Sequence, residues 1–155
     1  VEKRIDAATR RINARPEDVY RAFVDPVSLV LWLPPEGMTG RIDALDPTEG
    51  GRFRMTLTYG ASSEQAKGKS SENEDVVDGT YVELVPDHRV VLLFRFDSED
   101  PAFAGAMRMT WAVAAADGAA EVTISCEDVP VGISQKDHVE GMESSLRNLA
   151  NLLES

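Results

Sequence analysis

The segment SQKDHVEGMESSLRNLANLLES, residues 134–155, decides the fold of this chain. Its apolar residues recur every three or four positions and draw one stripe along an amphipathic helix: Val139, Met142, Leu146, Leu149 and Leu153. Ser134 suits the N-cap of this helix. A helix with one apolar stripe needs a partner surface, so we expect a curved sheet to wrap around it. A cavity between sheet and helix is then possible.

The residues before this helix alternate between apolar and polar in six or so stretches. The clearest is 51–59, where Phe53, Met55, Leu57 and Tyr59 alternate with arginine and threonine. Further strands are predicted over 3–13, with Ile5 and Ile12 as apolar anchors, and over 40–46, 76–85, 89–96, 106–114 and 119–127. Residues 60–75 are rich in Ser, Gly, Lys and Glu, which predicts a long, exposed and mobile hairpin loop.

Two short helices are predicted after the first strand. Pro16 suits the first turn of one helix, which ends at Asp25-Pro26 because the residue before a proline avoids helical geometry. The second covers 28–33 and ends at Pro34-Pro35. The order of elements predicts a single α+β domain over 1–155, with an antiparallel sheet of about six strands around a long C-terminal helix.

Composition narrows the classes of partner. Sixteen Lys and Arg against 27 Asp and Glu give a formal net charge of -11, which disfavours nucleic acid and anionic membranes. The single cysteine, Cys126, excludes an internal disulfide and a multi-cysteine zinc site. No apolar run could span a bilayer, and no apolar core of a signal peptide follows the first residues. We therefore expect a cytoplasmic protein without metal or cofactor.

The side chains predicted to face the cavity are rich in methionine and aromatic rings. Such residues adapt to irregular apolar ligands, and they equally fill gaps in a core, so both interpretations stay open. The candidate ligand-binding residues are Trp32, Met38, Phe53, Met55, Tyr59, Met109, Trp111, Cys126, His138, Met142 and Leu146.

Three further features bear on the site. Gly141 inside the helix costs about 1 kcal/mol relative to alanine, which either close packing against a strand or room for a ligand would explain; we favour close packing. His138, in the first turn, is a candidate polar contact for a ligand. Glu83 is a candidate acid or base at the rim of the cavity, although a salt bridge to a surface arginine is the simpler expectation. No catalytic constellation stands out.

Several motifs occur in a characteristic order. They are RPEDVYRAF at 15–23, Asp25-Pro26, Trp32-Leu33, Gly37-Met38, GGRF at 50–53, GTYVELVP at 79–86, MTW at 109–111, Asp117-Gly118 and residues 138–149. Together they resemble the START-like (SRPBCC, helix-grip) superfamily, in the branch named after activators of the heat-shock protein 90 ATPase. The resemblance is to the C-terminal domain of its co-chaperone members. Many relatives carry tryptophan after the glycine of the last helix, where this chain has Met142, which implies a larger or reshaped cavity.

The resemblance implies a helix-grip fold, a scaffold used for lipid and hormone binding, polyketide cyclisation and chaperone regulation. Our first hypothesis is non-covalent binding of a small hydrophobic or amphipathic molecule between sheet and helix, by a monomer or homodimer. The second is a protein-interaction module related to chaperone or stress regulation, which acts through an acidic surface or residues 60–75. The third is a polyketide-cyclase-like or hydrolytic enzyme that uses His138 or Glu83.

Overall fold

A computed structural model describes residues 4–59, 74–96 and 98–154. Their strands form one antiparallel sheet in the order β1-β7-β6-β5-β4-β3-β2. The strands are β1 (Ile5–Ile12), β2 (Met38–Leu45), β3 (Arg52–Tyr59), β4 (Glu74–Val85), β5 (Arg89–Phe96), β6 (Met107–Ala116) and β7 (Ala119–Glu127). The helices are α1 (Pro16–Val24), α2 (Pro26–Trp32) and α3 (Gln135–Glu154), with a short 3-10 helix at Pro101–Phe103. The predicted α+β helix-grip architecture is confirmed, with seven strands where about six were expected.

The two short helices meet at Asp25, which ends one and caps the other. Its backbone is extended, which stops α1, and its carboxylate accepts a hydrogen bond of 2.9 Å from the backbone N–H of Ser28 in α2. Pro16 occupies the first turn of α1, as predicted. This arrangement sets α2 beside α3 at one end of the groove in the sheet.

The long helix α3 begins at the predicted cap. The Ser134 hydroxyl accepts a hydrogen bond of 3.2 Å from the backbone N–H of Asp137. Met142, Leu146 and Leu149 of the predicted stripe are buried, so this side of the helix faces the sheet and α2. No helix within the described ranges is long and apolar enough to cross a membrane.

The turn between β6 and β7 shows how local chemistry sets the register of the sheet. Asp117 and Gly118 both have positive φ, 44° and 82°, as a two-residue hairpin turn requires, and Ala116 pairs directly with Ala119. Aspartate and glycine adopt this conformation readily. The turn signal in the sequence is therefore confirmed.

Two expectations about strands were wrong. Ile5 is 51% exposed, and the inward face of β1 begins with the fully buried Asp6. Ile5 and Ile12 lie seven residues apart and therefore cannot share one face of a regular strand. Glu74 and Asp75, expected in the loop, begin β4, where they pair with Thr58 and Leu57 of β3. The rest of that predicted loop, 60–73, lies outside the described residues.

One end of the groove is filled by aromatic side chains. Trp32 of α2 and Trp111 of β6 have ring centroids 5.2 Å apart, and Phe23 of α1 lies 5.9 and 5.8 Å from them. Phe53 of β3 closes the cluster at 6.4 Å from Trp111. Edge-to-face and tilted contacts of this kind are favourable, so this end of the groove is a packed core.

Candidate functional site: a cavity between sheet and helix

The other end of the groove contains a cavity of about 610 Å³. Side chains from β2 to β7 form one wall, and the first half of α3 forms the other, together with Leu33, Pro35, Glu36 and residues 132–134. The volume lies within the range of about 300–1,000 Å³ that is usual for small-molecule sites. Most of the lining is apolar, and its polar members are Glu36, Tyr59, Asp75, Ser134, Asp137, His138, Glu140 and Ser145.

The structure brings seven of the eleven candidate residues to this cavity. They belong to three strands and the long helix: Met38, Phe53, Met55, Tyr59, Met109, His138 and Met142. On β3 the strict alternation of residues places Phe53, Met55 and Tyr59 on the same wall. The cavity wall is therefore the face that the alternation marked as apolar.

The other four candidates lie in the packed core and do not line the cavity. Trp32 and Trp111 belong to the aromatic cluster, and the Trp32 indole donates a hydrogen bond of 2.8 Å to the Ala22 carbonyl. Leu146 is only 1% exposed and lies one helical turn beyond Met142. Cys126 is fully buried, and burial raises the pKa of its thiol, which opposes a role as nucleophile. A side chain that faces the groove therefore does not necessarily line the cavity.

Gly141 has open space beside its backbone. A Cβ built at this position meets no heavy atom of the described residues within 4 Å, and the residue lines the cavity. Our expectation of close packing against a strand was wrong. The helix and the sheet separate at this point, and Gly141 adds to the free volume.

A buried ion cluster borders the cavity at the start of α3. Asp6, fully buried on β1, accepts hydrogen bonds from Arg4 Nε at 2.9 Å and Nη2 at 2.8 Å, and its Oδ2 lies 2.7 Å from His138 Nδ1. Burial raises the pKa of Asp6, but the hydrogen bonds from Arg4 and His138 outweigh it, so the pKa lies below its usual value. An ionised carboxylate only accepts hydrogen bonds, so Nδ1 of His138 carries the proton.

A second buried carboxylate lies on the sheet side of the cavity. Asp75, 1% exposed, accepts a hydrogen bond of 3.1 Å from the Tyr59 hydroxyl on the neighbouring strand. Both residues line the cavity. Two groups that are hydrogen-bonded to buried carboxylates, His138 on the helix side and Tyr59 on the sheet side, therefore belong to the polar part of a mostly apolar lining.

Glu83 lies outside the cavity. A bulge in the pairing of β4 with β5 falls between Tyr81 and Glu83, so the buried Tyr81 and the half-exposed Glu83 do not alternate regularly. Glu83 forms an ion pair with Arg89, and the hydrogen bond from Arg89 lowers the pKa of Glu83. A structural salt bridge accounts for this residue.

Sequence reasoning missed both buried carboxylates. Asp6 lies 132 positions from its partner His138 in the sequence, so no local pattern links the two residues. Asp75 was assigned to a polar loop, although it continues the alternation of Val77, Gly79 and Tyr81 toward the interior of β4. That alternation was the available signal. Within the described ranges, no group of three or more His, Cys, Asp or Glu residues could hold a metal ion.

The comparisons with known proteins agree with this fold. The profile of the family described as "Activator of Hsp90 ATPase homolog 1-like protein" matches residues 13–154. The chain belongs to this family. No curated protein matches the chain in sequence.

Solved structures of similar proteins show the same fold. Protein CV1439 from Chromobacterium violaceum is 33% identical, with 97% of each chain covered and a TM-score of 0.85. The AHSA1 protein SPO3351 from Silicibacter pomeroyi is 22% identical, with 97% of this chain and 98% of that chain covered and a TM-score of 0.78. DynU16, a protein in the dynemicin biosynthetic locus, is 18% identical, with 97% of this chain and 47% of that chain covered and a TM-score of 0.70. The last two likenesses concern the fold alone.

Proposed function

We propose that this member of the family binds a small hydrophobic or amphipathic molecule, without covalent chemistry, in the cavity between the sheet and α3. The observation that supports the proposal most is the cavity of about 610 Å³ itself. Protein interiors are normally close-packed, with few voids larger than a water molecule. The aromatic cluster fills one end of the same groove, so the free volume is confined to the other end.

The residues of α3 that border the cavity support this proposal. Gly141 contributes no side chain there, at a cost in helix stability of about 1 kcal/mol relative to alanine. Met142 follows it with a flexible side chain that adapts to irregular apolar shapes. Next to the cavity, α3 thus carries a residue without a packing side chain and with a low helix propensity.

The test uses n-decanol as an uncharged amphipathic probe, with native mass spectrometry for stoichiometry and calorimetry for affinity. We expect one bound molecule per chain and a rise in melting temperature, because a ligand that binds only the folded state stabilises it. Absence of binding by n-decanol and by a panel of uncharged aromatic compounds would contradict the proposal.

Variants locate the binding site. Met142→Trp places a larger side chain in the cavity and is expected to weaken n-decanol binding at least tenfold. Leu31→Trp is the matched control, because Leu31 is 57% exposed on α2 and does not line the cavity. If Met142→Trp does not fold, Gly141→Leu fills the same space from a position where the Cβ has no atom of the described part of the chain within 4 Å. Unchanged affinity in a folded cavity variant would place the probe elsewhere.

A second candidate function is proton transfer on the bound molecule, favoured by the hydrogen bond between His138 and Asp6. With Nδ1 protonated toward Asp6, the remaining nitrogen, Nε2, is the basic one in a neutral ring. The test is exchange of the α-protons of 2-tetralone in deuterated water, followed by NMR. A rate that is unchanged by His138→Ala would exclude this candidate.

The remaining expectations stay predictions. They are a cytoplasmic location, the absence of nucleic-acid and membrane partners, and a monomeric or homodimeric state. The interaction-module hypothesis invokes an acidic surface or the segment 60–75, of which 60–73 lie outside the described residues.

A further inference from the structure

We propose that the cavity selects molecules with a planar aromatic body over saturated molecules of the same size. This inference rests on the proposed binding function and names the class of ligand. It follows from the kinds of apolar side chain that the fold brings to the cavity and from their arrangement on its two walls.

The apolar part of the lining has a distinctive composition. All five methionines of the chain line the cavity: Met38, Met55, Met107, Met109 and Met142. Four of the five phenylalanines line it as well. Valine, leucine and isoleucine are far more numerous in the sequence, yet only five of them belong to the lining that the structure describes. The burial of apolar residues in general does not account for this distribution.

Gap-filling in the core does not account for it either. Methionine commonly fills irregular spaces between packed side chains. The packed end of the groove, however, is built from Phe23, Trp32 and Trp111 and contains no methionine, since all five line the cavity at the other end. The thioethers therefore concentrate where free volume remains.

Aromatic rings and sulfur atoms are neighbours on the sheet wall. Phe53 and Met55 alternate onto the same face of β3. Phe94 of β5 pairs directly with Met107 of β6, which places their Cβ atoms about 4.5–5.5 Å apart, and Met109 follows on the same face of β6. A molecule that lies on this wall therefore meets phenyl rings and thioethers side by side.

Such a wall discriminates between aromatic and saturated molecules. A thioether sulfur contacts an aromatic ring favourably, and each contact strengthens binding by about two- to tenfold. Phenyl rings add edge-to-face or offset contacts with a second ring. A saturated molecule of equal size gains the same burial of apolar surface but none of these contacts.

The helix wall suits a flat molecule. Gly141 has no side chain, and a Cβ built there meets no heavy atom of the described residues within 4 Å. A planar ring can therefore approach the backbone of α3 at this point. Met142 follows directly and adds a thioether on the helix side of the cavity.

The experiment compares three uncharged alcohols of ten carbon atoms each: 2-naphthol, trans-decahydro-2-naphthol and n-decanol. The first two share one carbon skeleton and one hydroxyl position, so they differ only in aromaticity and the flatness that accompanies it. Calorimetry at pH 7 keeps the hydroxyl of 2-naphthol protonated. We expect 2-naphthol to bind about tenfold more tightly than its saturated analogue, as two or more sulfur–ring contacts would give.

Variants that exchange methionine and leucine test the role of the sulfur atoms, because these side chains have similar volumes and the exchange is well tolerated. Met109→Leu and Met142→Leu are each expected to weaken 2-naphthol binding about two- to fivefold and to change the binding of the saturated analogue less than twofold. Leu57→Met adds a sulfur to the lining and is expected to strengthen 2-naphthol binding. Leu153→Met, which adds one outside the lining, is the matched control and is expected to change neither affinity.

The outcomes distinguish this inference from the function on which it rests. Binding of n-decanol together with equal or weaker binding of 2-naphthol relative to its saturated analogue would overturn the inference and leave the proposed function in place. Failure of all three probes to bind would overturn both. Equal losses for 2-naphthol and the saturated analogue in Met109→Leu and Met142→Leu would show an effect of shape alone and would also overturn the inference.

Discussion

Replacement of Gly141 with alanine is expected to stabilise the protein, because the structure shows no packing there for a methyl group to disturb. Within the described ranges, a Cβ at this position meets no heavy atom within 4 Å. The helix gains about 0.8–1.0 kcal/mol from the exchange of glycine for alanine. With an unfolding entropy of about 2.1 cal/mol/K per residue, a chain of 155 residues melts about 3 °C higher for each 1 kcal/mol. Thermal and urea unfolding followed by circular dichroism measure both quantities.

Gly79→Ala is the matched control, since it adds the same methyl group at a crowded glycine. There a Cβ would lie 2.6 Å from Cδ1 of Phe94 and 3.1 Å from the Leu93 carbonyl oxygen. Such overpacking costs about 1–3 kcal/mol, so this variant is expected to lose stability. A loss of more than about 1 kcal/mol in Gly141→Ala would refute the reasoning, because it would mean that the space beside the helix is occupied.

The other predictions concern the ion cluster, the helix cap and the thiol. Asp6→Asn is expected to unfold at a lower urea concentration than the wild type near neutral pH. A carboxylate whose pKa is lowered by folding stabilises the fold above its unfolded-state pKa and loses this effect as the pH falls. The difference between the two proteins should therefore shrink below about pH 4. Asp6→Ala leaves Arg4 and His138 without their shared partner and is expected to cost about 3 kcal/mol, measured by the same unfolding curves. Ser134→Ala removes the cap of α3 and is expected to cost about 1 kcal/mol, whereas an unchanged midpoint would show that the cap contributes nothing. The fully buried Cys126 is expected to react with iodoacetamide only at the rate at which the protein opens, so rapid modification of the folded protein would contradict the described core.

Local sequence patterns predicted the helices and strands well, because these elements are set by backbone geometry and side chains close together in the sequence. Alternation along β3 placed Phe53, Met55 and Tyr59 on one wall of the groove, and Pro16 and Asp25 marked where α1 begins and ends. Each of these signals depends on backbone geometry over a few residues. Two strand errors arose where a polar residue lies on an inward face, as Asp6 does in β1 and Asp75 in β4.

The sequence by itself determined the order of strands and helices and the inward face of β3 and α3, since periodicity and turn chemistry are properties of short segments. Only the tertiary structure decided which inward residues touch one another. Trp111 and Met109 share a strand face, yet the first packs against Trp32 and the second lines the cavity. The physical reason is that the separation between sheet and helix varies along the groove: α2 fills one end, and Gly141 leaves the other open. That separation depends on contacts between residues far apart in sequence, which no local pattern records.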